Sequence, residues 1–261
     1  MISTSKKISQ NNSNEYTSIN KELQLVMDNA PLKHRLENSE NPVSVQLGRQ
    51  LALVWQELER RFTLVDFVQK VETENVSLAE YQLYLQDMRA QVVEGASWLT
   101  RAASNMRGDL IELRHAIINH AHMEQSDYRM LEENYLATGG VRENIQNPRQ
   151  NIGTAALSAY IYHIVSQENP IELFGAVFIF EGLGHMKAGI WSQHLQNALK
   201  LPDNAVSFLA YHGEADVDHY ENLINIFKLP IITEDRAARI VRAARTIGLL
   251  YTSQLANIGL Y

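Results

Sequence analysis

Apolar residues recur at intervals of three and four along most of the chain, while alternation rich in Val, Ile and Thr never persists, so the pattern predicts helices and no sheet. The periodic stretches fall at roughly 43–62, 77–104, 109–136, 153–167, 170–199, 203–228 and 233–257, which makes about seven helices. Turn chemistry separates them. Asn41-Pro42 precedes the first, Gly139-Gly140 closes the third, and Asn169-Pro170 divides the fourth from the fifth. Leu201-Pro202-Asp203 stops one helix and starts another, and Leu229-Pro230 ends the sixth before Thr233-Glu234 opens the last. No internal repeat or linker interrupts this series, so a single all-α domain over 23–261 is expected, behind a disordered leader at 1–22 rich in Ser, Asn and Lys.

Composition narrows the chemistry. With 261 residues, 45% of them apolar, the chain can bury a sizeable core without covalent or metal staples. It has no cysteine, which excludes disulfides, thiolate catalysis, iron–sulfur clusters and cysteine zinc sites, and leaves His, Asp and Glu to hold any metal. A net charge of -7 with no Lys/Arg cluster argues against a nucleic-acid partner. The most apolar window, Leu173 to Leu183, is too short to span a bilayer and contains Glu181, and the first twenty residues lack a secretory apolar core. No membrane association and a cytoplasmic location are expected.

His212, Asp216 and His219 are separated by four and then three residues, so a helix places them on one face. That stripe also carries Ala205, Phe208, Leu209, Leu223 and Ile226 and should point inward. Burying the three ionisable groups unpaired is costly, and a divalent metal removes the penalty by taking them as ligands. A satisfied His/Asp hydrogen-bond cluster or a solvated face explains this one segment equally well. A second segment repeats the spacing with His120, Glu124 and Asp127, and Glu181 interrupts an apolar run. Gly182, Gly184 and Gly189 weaken that helix, which either close helix packing or the approach of a ligand explains. Glu94 is a weaker candidate ligand, equally placed to face solvent. His115 and His122 lie opposite His120 and read as surface groups, while His185 and His194 have no carboxylate at ligand spacing except Glu181.

Over roughly 77–257 these residues resemble the heme-oxygenase-like di-iron oxidases, relatives of the TenA/PqqC-type proteins and of the chlamydial death-domain-associated protein. The most specific part is His-x-x-x-Asp-x-x-His, matched by His212, Asp216 and His219 about thirty residues after Glu181. The resemblance implies a heme-oxygenase-like bundle in which two ferrous ions activate O2 against a small organic substrate, amino-acid-like or fatty-acyl, in a protein that forms a homodimer. It assigns Glu124 to the Glu of an earlier helix, and places Glu94 or Gln91 near another. Where many members carry His three residues after that Glu, this chain has Asp127. Either His120 supplies the imidazole or Asp127 binds directly, and on either alternative the second iron position is the weaker. The same scaffold also hosts metal-free TenA/PqqC-like proteins, non-catalytic binding proteins and true heme oxygenases, which residues 182–189 could imitate. The hydrolases among them use a Cys nucleophile that is missing here.

Overall fold

The structure, a computed structural model, describes residues 33–261, and every regular element among them is helical, as the periodicity requires. The expected leader at 1–22 lies outside the described residues. The first helices are α1 (Lys33–Leu36) and α2 (Pro42–Phe62). Asn41 sets the start of α2 by accepting from the Val43 N–H at 3.0 Å, and Pro42 sits in the first turn, where a missing N–H costs nothing. After α3 (Asp66–Glu72), Ser77 and Glu80 form a reciprocal capping box that opens α4 (Leu78–Val92). Then come α5 (Gly95–Asn105), α6 (Ile111–Glu124), α7 (Tyr128–Ala137) and α8 (Arg142–Gln146). Asn151 caps α9 (Ile152–Val165) by accepting from the Thr154 N–H at 2.8 Å. Helix α10 (Leu173–Leu183) runs through a π-helical turn, Gly184–Ala188, into α11 (Gly189–Leu199). Two long helices follow, α12 (Ser207–Phe227) and α13 (Glu234–Ala256), the second capped by Thr233.

Two of the expected helices are each two. The stretch at 77–104 breaks at Val93 and Glu94, and that at 109–136 breaks at Gln125–Asp127. Neither break contains Pro, and apolar spacing survives a short interruption, so the hydrophobic period does not register it. Helices α1, α3 and α8 have too few turns to show a period at all.

The centre of the bundle is α10, on which α13 and α12 both pack. Helix α13 also lies along α2 and α9, α12 along α11 and the π turn, and α6 along α5. One apolar core extends from Leu36 to Leu255. The continuous helix Leu173–Leu199 is long and apolar enough to cross a membrane by length and composition, unlike the shorter window considered above, but most of it is buried inside the protein. An apolar surface on all sides is what a central core helix requires. Its buried charge is Glu181.

Candidate metal centre

Seven of the eight predicted ligands meet in one place. Helix α6 supplies His120 and Glu124, the turn before α7 supplies Asp127, α10 supplies Glu181 from its last turn, and α12 supplies His212, Asp216 and His219. Glu124 stands between two groups of partners. Its Oε1 is 3.7 Å from His120 Nε2 and 3.6 Å from His219 Nδ1, while its Oε2 is 3.9 Å from His212 Nε2. Glu181 pairs with His120 Nε2 at 3.1 Å and with His219 Nδ1 at 3.2 Å. Asp127 Oδ2 lies 3.3 Å from His212 Nε2. The potential ligand atoms form three overlapping sets, His120/Glu124/His219, Glu124/Asp127/His212 and Glu181/Asp216/His219, each within 4.8 Å.

The break at Gln125–Asp127 matters here. Asp127 does not continue the face of His120 and Glu124 but stands at the foot of α7, where it reaches His212 instead of Glu181. Glu94 is the exception among the predicted ligands. The chain turns after Val92, Glu94 becomes the residue that leads into α5, and the Tyr162 hydroxyl donates to its carboxylate, so it stands outside the cluster. Gln91 lines the adjoining cavity in its place. His115 and His122 lie exposed on α6.

Mutual pairing sets the ionisation of the cluster. Burial opposes ionisation of Glu181, but His120 and His219 outweigh it and hold its carboxyl at about 2. For Asp216, burial together with the charges of Glu181 and Glu124 raises the carboxyl to about 7. Asp216 and Glu181 push His219 up to about 10. Burial likewise opposes the charging of His120 and His212, and the facing carboxylates overcome it, Glu181 for His120, Asp127 and Glu124 for His212.

Three observations show that this donor set fits a metal. Asp216 Oδ1 is buried without a hydrogen-bond partner, with His219 Nδ1 no nearer than 3.5 Å, and such an orphan is costly unless a further group completes it. His212 Nδ1–H donates to the Phe208 carbonyl at 2.9 Å, which fixes the ring and leaves Nε2 as the atom that faces the carboxylates. Gly184 is bare because a Cβ there would stand 1.5 Å from Asp216 Oδ2. Imidazole nitrogen with carboxylate oxygen is the ligand chemistry of non-heme iron. Trp55 fills the space beside Gly182, and a Cβ on Gly213 of α12 would stand 2.8 Å from Gly189, so this stretch also seats a side chain and a neighbouring helix.

Beside the cluster lies a cavity of ≈ 140 Å³, with His120, Glu124, Glu181, His212 and Asp216 in its wall. The rest of the wall is mainly apolar, including Trp98, Phe180, Trp191 and Tyr251. Sequence spacing gave no sign of these aromatic residues, because a cavity wall has the same periodicity as a packed core. Lys187 also reaches the cavity, but its ammonium is engaged by Glu59 at 3.1 Å and Glu72 at 3.7 Å.

The family described as iron-containing redox enzymes matches residues 82–251, a span that holds every residue of the cluster. The chain belongs to this family. No curated protein matches it in sequence. Among solved structures, this chain is similar to a domain of unknown function with a heme oxygenase-like fold from Shewanella denitrificans OS217, with a TM-score of 0.73 at 19% identity over 78% of this chain and 88% of that one. It is also similar to a TenA homologue from Pseudomonas syringae pv. tomato DC3000, TM-score 0.65 at 14% identity over 84% and 98%. A TenA homologue from P. horikoshii OT3 gives 0.60 at 15% over 83% and 97%. At these identities the likeness is one of fold, and the fold is the heme-oxygenase-like helical bundle.

Proposed function

We propose that this protein is a non-heme di-iron oxidase that uses O2 to oxidise a small, predominantly apolar organic substrate held in the ≈ 140 Å³ cavity. The observation that carries this reading is Glu124, whose two oxygens face separate imidazole groups, as a carboxylate shared between two metal positions must. His120, His219, Glu181 and Asp216 would hold one ion with Glu124, and His212 and Asp127 would hold the other. Bound iron supplies the one-electron chemistry and the O2 activation that amino-acid side chains lack. The protein's own part is separable from that. His212 keeps one tautomer through the Phe208 carbonyl, and Glu181 holds His120 and His219 in place. The aromatic wall orients an apolar substrate against the cluster and keeps water from it.

The cavity favours the apolar side of the expected substrate range. A zwitterionic amino acid needs charged partners at both ends, and Lys187, the cation of the wall, is already balanced by two carboxylates. Metal analysis after anaerobic loading with ferrous ion tests the reading: about two irons per chain are expected. No iron would instead support a metal-free protein on the TenA-like scaffold, and a Soret band after heme addition would support a heme oxygenase. The wild-type protein loaded with iron is also expected to consume O2 faster with an apolar substrate present.

A further inference from the structure

A second cavity, of ≈ 470 Å³, also reaches the cluster. His120, Leu99, Leu173 and Val177 belong to the walls of both, so the two cavities adjoin. The second cavity runs between α6 and α12 and is lined by His115, Asn119 and His120 from the first helix and His219 and Asn222 from the second, over an apolar floor that includes Phe174. His115, Asn119 and Asn222 are exposed, whereas His120 and His219 lie within the cluster, so the polar lining leads from solvent to the ligands.

We propose that this groove is the route by which a divalent cation, ferrous iron, reaches the cluster, separate from the route taken by the substrate. The proposal rests on the di-iron reading above. Its physical basis is the contrast between the two walls. The wall of the substrate cavity contains no exposed residue and is mainly apolar away from the cluster, so a hydrated dication entering by it would lose its water shell before it met the ligands. In the groove, imidazole and amide groups can replace water one ligand at a time, and no Lys or Arg lines it. The groove ends on His120 and His219, whose ring centroids are 4.8 Å apart, so the position these two share is the first that an arriving ion meets.

The test is the rate at which the metal-free protein takes up ferrous ion alone, under anaerobic conditions, followed by the loss of iron available to a competing chelator. Ala116→Trp places an indole in the groove from an exposed position, and Asn222→Ala removes an amide from its wall; neither residue belongs to the cluster. Gly95→Leu is the control on the substrate cavity, since an added Cβ at Gly95 meets nothing within 4 Å. Ala116→Trp is expected to slow uptake about tenfold and Asn222→Ala by a smaller factor, with unchanged final stoichiometry, while Gly95→Leu takes up iron at the wild-type rate. Wild-type rates in both groove variants, or equal slowing in Gly95→Leu, would overturn the route while leaving the di-iron reading standing. A wild-type protein that acquires no iron at all would overturn both.

Discussion

Gly184 and Asp216 occupy one space: a Cβ on residue 184 would sit 1.5 Å from Asp216 Oδ2, so the carboxylate reaches the cluster only because residue 184 has no side chain. The same glycine opens the π turn that follows Glu181, and π turns recur where a helix is adapted to a site. Helix propensity alone favours Ala over Gly by about 1 kcal/mol. Gly184→Ala should therefore leave the thermal stability of the metal-free protein near wild type or lower it slightly, and cut iron affinity at least about tenfold, since Asp216 must move. An iron titration superimposable on wild type would show that Asp216 is no ligand.

His212 and His122 make a sharper pair than two cluster residues would, because both are histidines and only one is buried among carboxylates. His212→Ala is expected to lower iron content by about one ion per chain or more. His122→Ala, on the exposed side of α6, should keep the full complement and the wild-type melting temperature within about 1 °C. Equal losses of iron would contradict the arrangement.

Asp127 faces His212, and this divides the cluster unevenly. One position can draw on His120, His219, Glu181, Asp216 and an oxygen of Glu124, while the other has His212, Asp127 and the second oxygen of Glu124. Ferrous titration of the wild type should thus show two steps, the weaker belonging to the Asp127 side. Asp127→Ala should abolish the weaker step and spare the stronger, and Asp127→His should keep both. Loss of both steps in Asp127→Ala would mean that the positions do not separate in this way.

How much of this was legible in the sequence follows from what periodicity can carry. The His212/Asp216/His219 face and its partners His120, Glu124 and Glu181 were readable because ligands spaced by whole turns stay together on any regular helix. The spacing puts Asp127 at the end of the His120 and Glu124 face, whereas it stands beyond a break in the helix and still faces His212. Glu94 is placed away from the cluster by the same kind of cause: one turn of chain after Val92 redirects it to Tyr162, and Glu94→Gln should leave iron content unchanged. The cavity and the groove beside His120 come from how several helices approach one another, which spacing along a single helix does not encode.

The cluster without metal is a set of paired charges, and that makes metal binding a competition with protons. His219 is pushed up to about 10 and so holds a proton near neutral pH that iron must displace, and the carboxylates facing His120 and His212 raise those two as well. A histidine raised in the folded state adds stability that is complete below its unfolded value of about 6.5 and disappears as pH rises through the folded value. Asp216, raised to about 7, acts in the same direction, because folding favours its protonated form and stability is lost as pH climbs from about 4 to 7. Glu181, held at about 2, opposes them only in acid, where its contribution fades below about 4.5. The melting temperature of the metal-free protein should therefore fall between pH 6 and pH 9, while ferrous affinity rises over the same interval as the imidazoles give up their protons. Parallel melts and anaerobic titrations at several pH values measure both slopes. Replacing His219 by Gln should flatten the two together, and a metal-free melting curve insensitive to pH in the wild type would show that these histidines are not held protonated by their carboxylate neighbours.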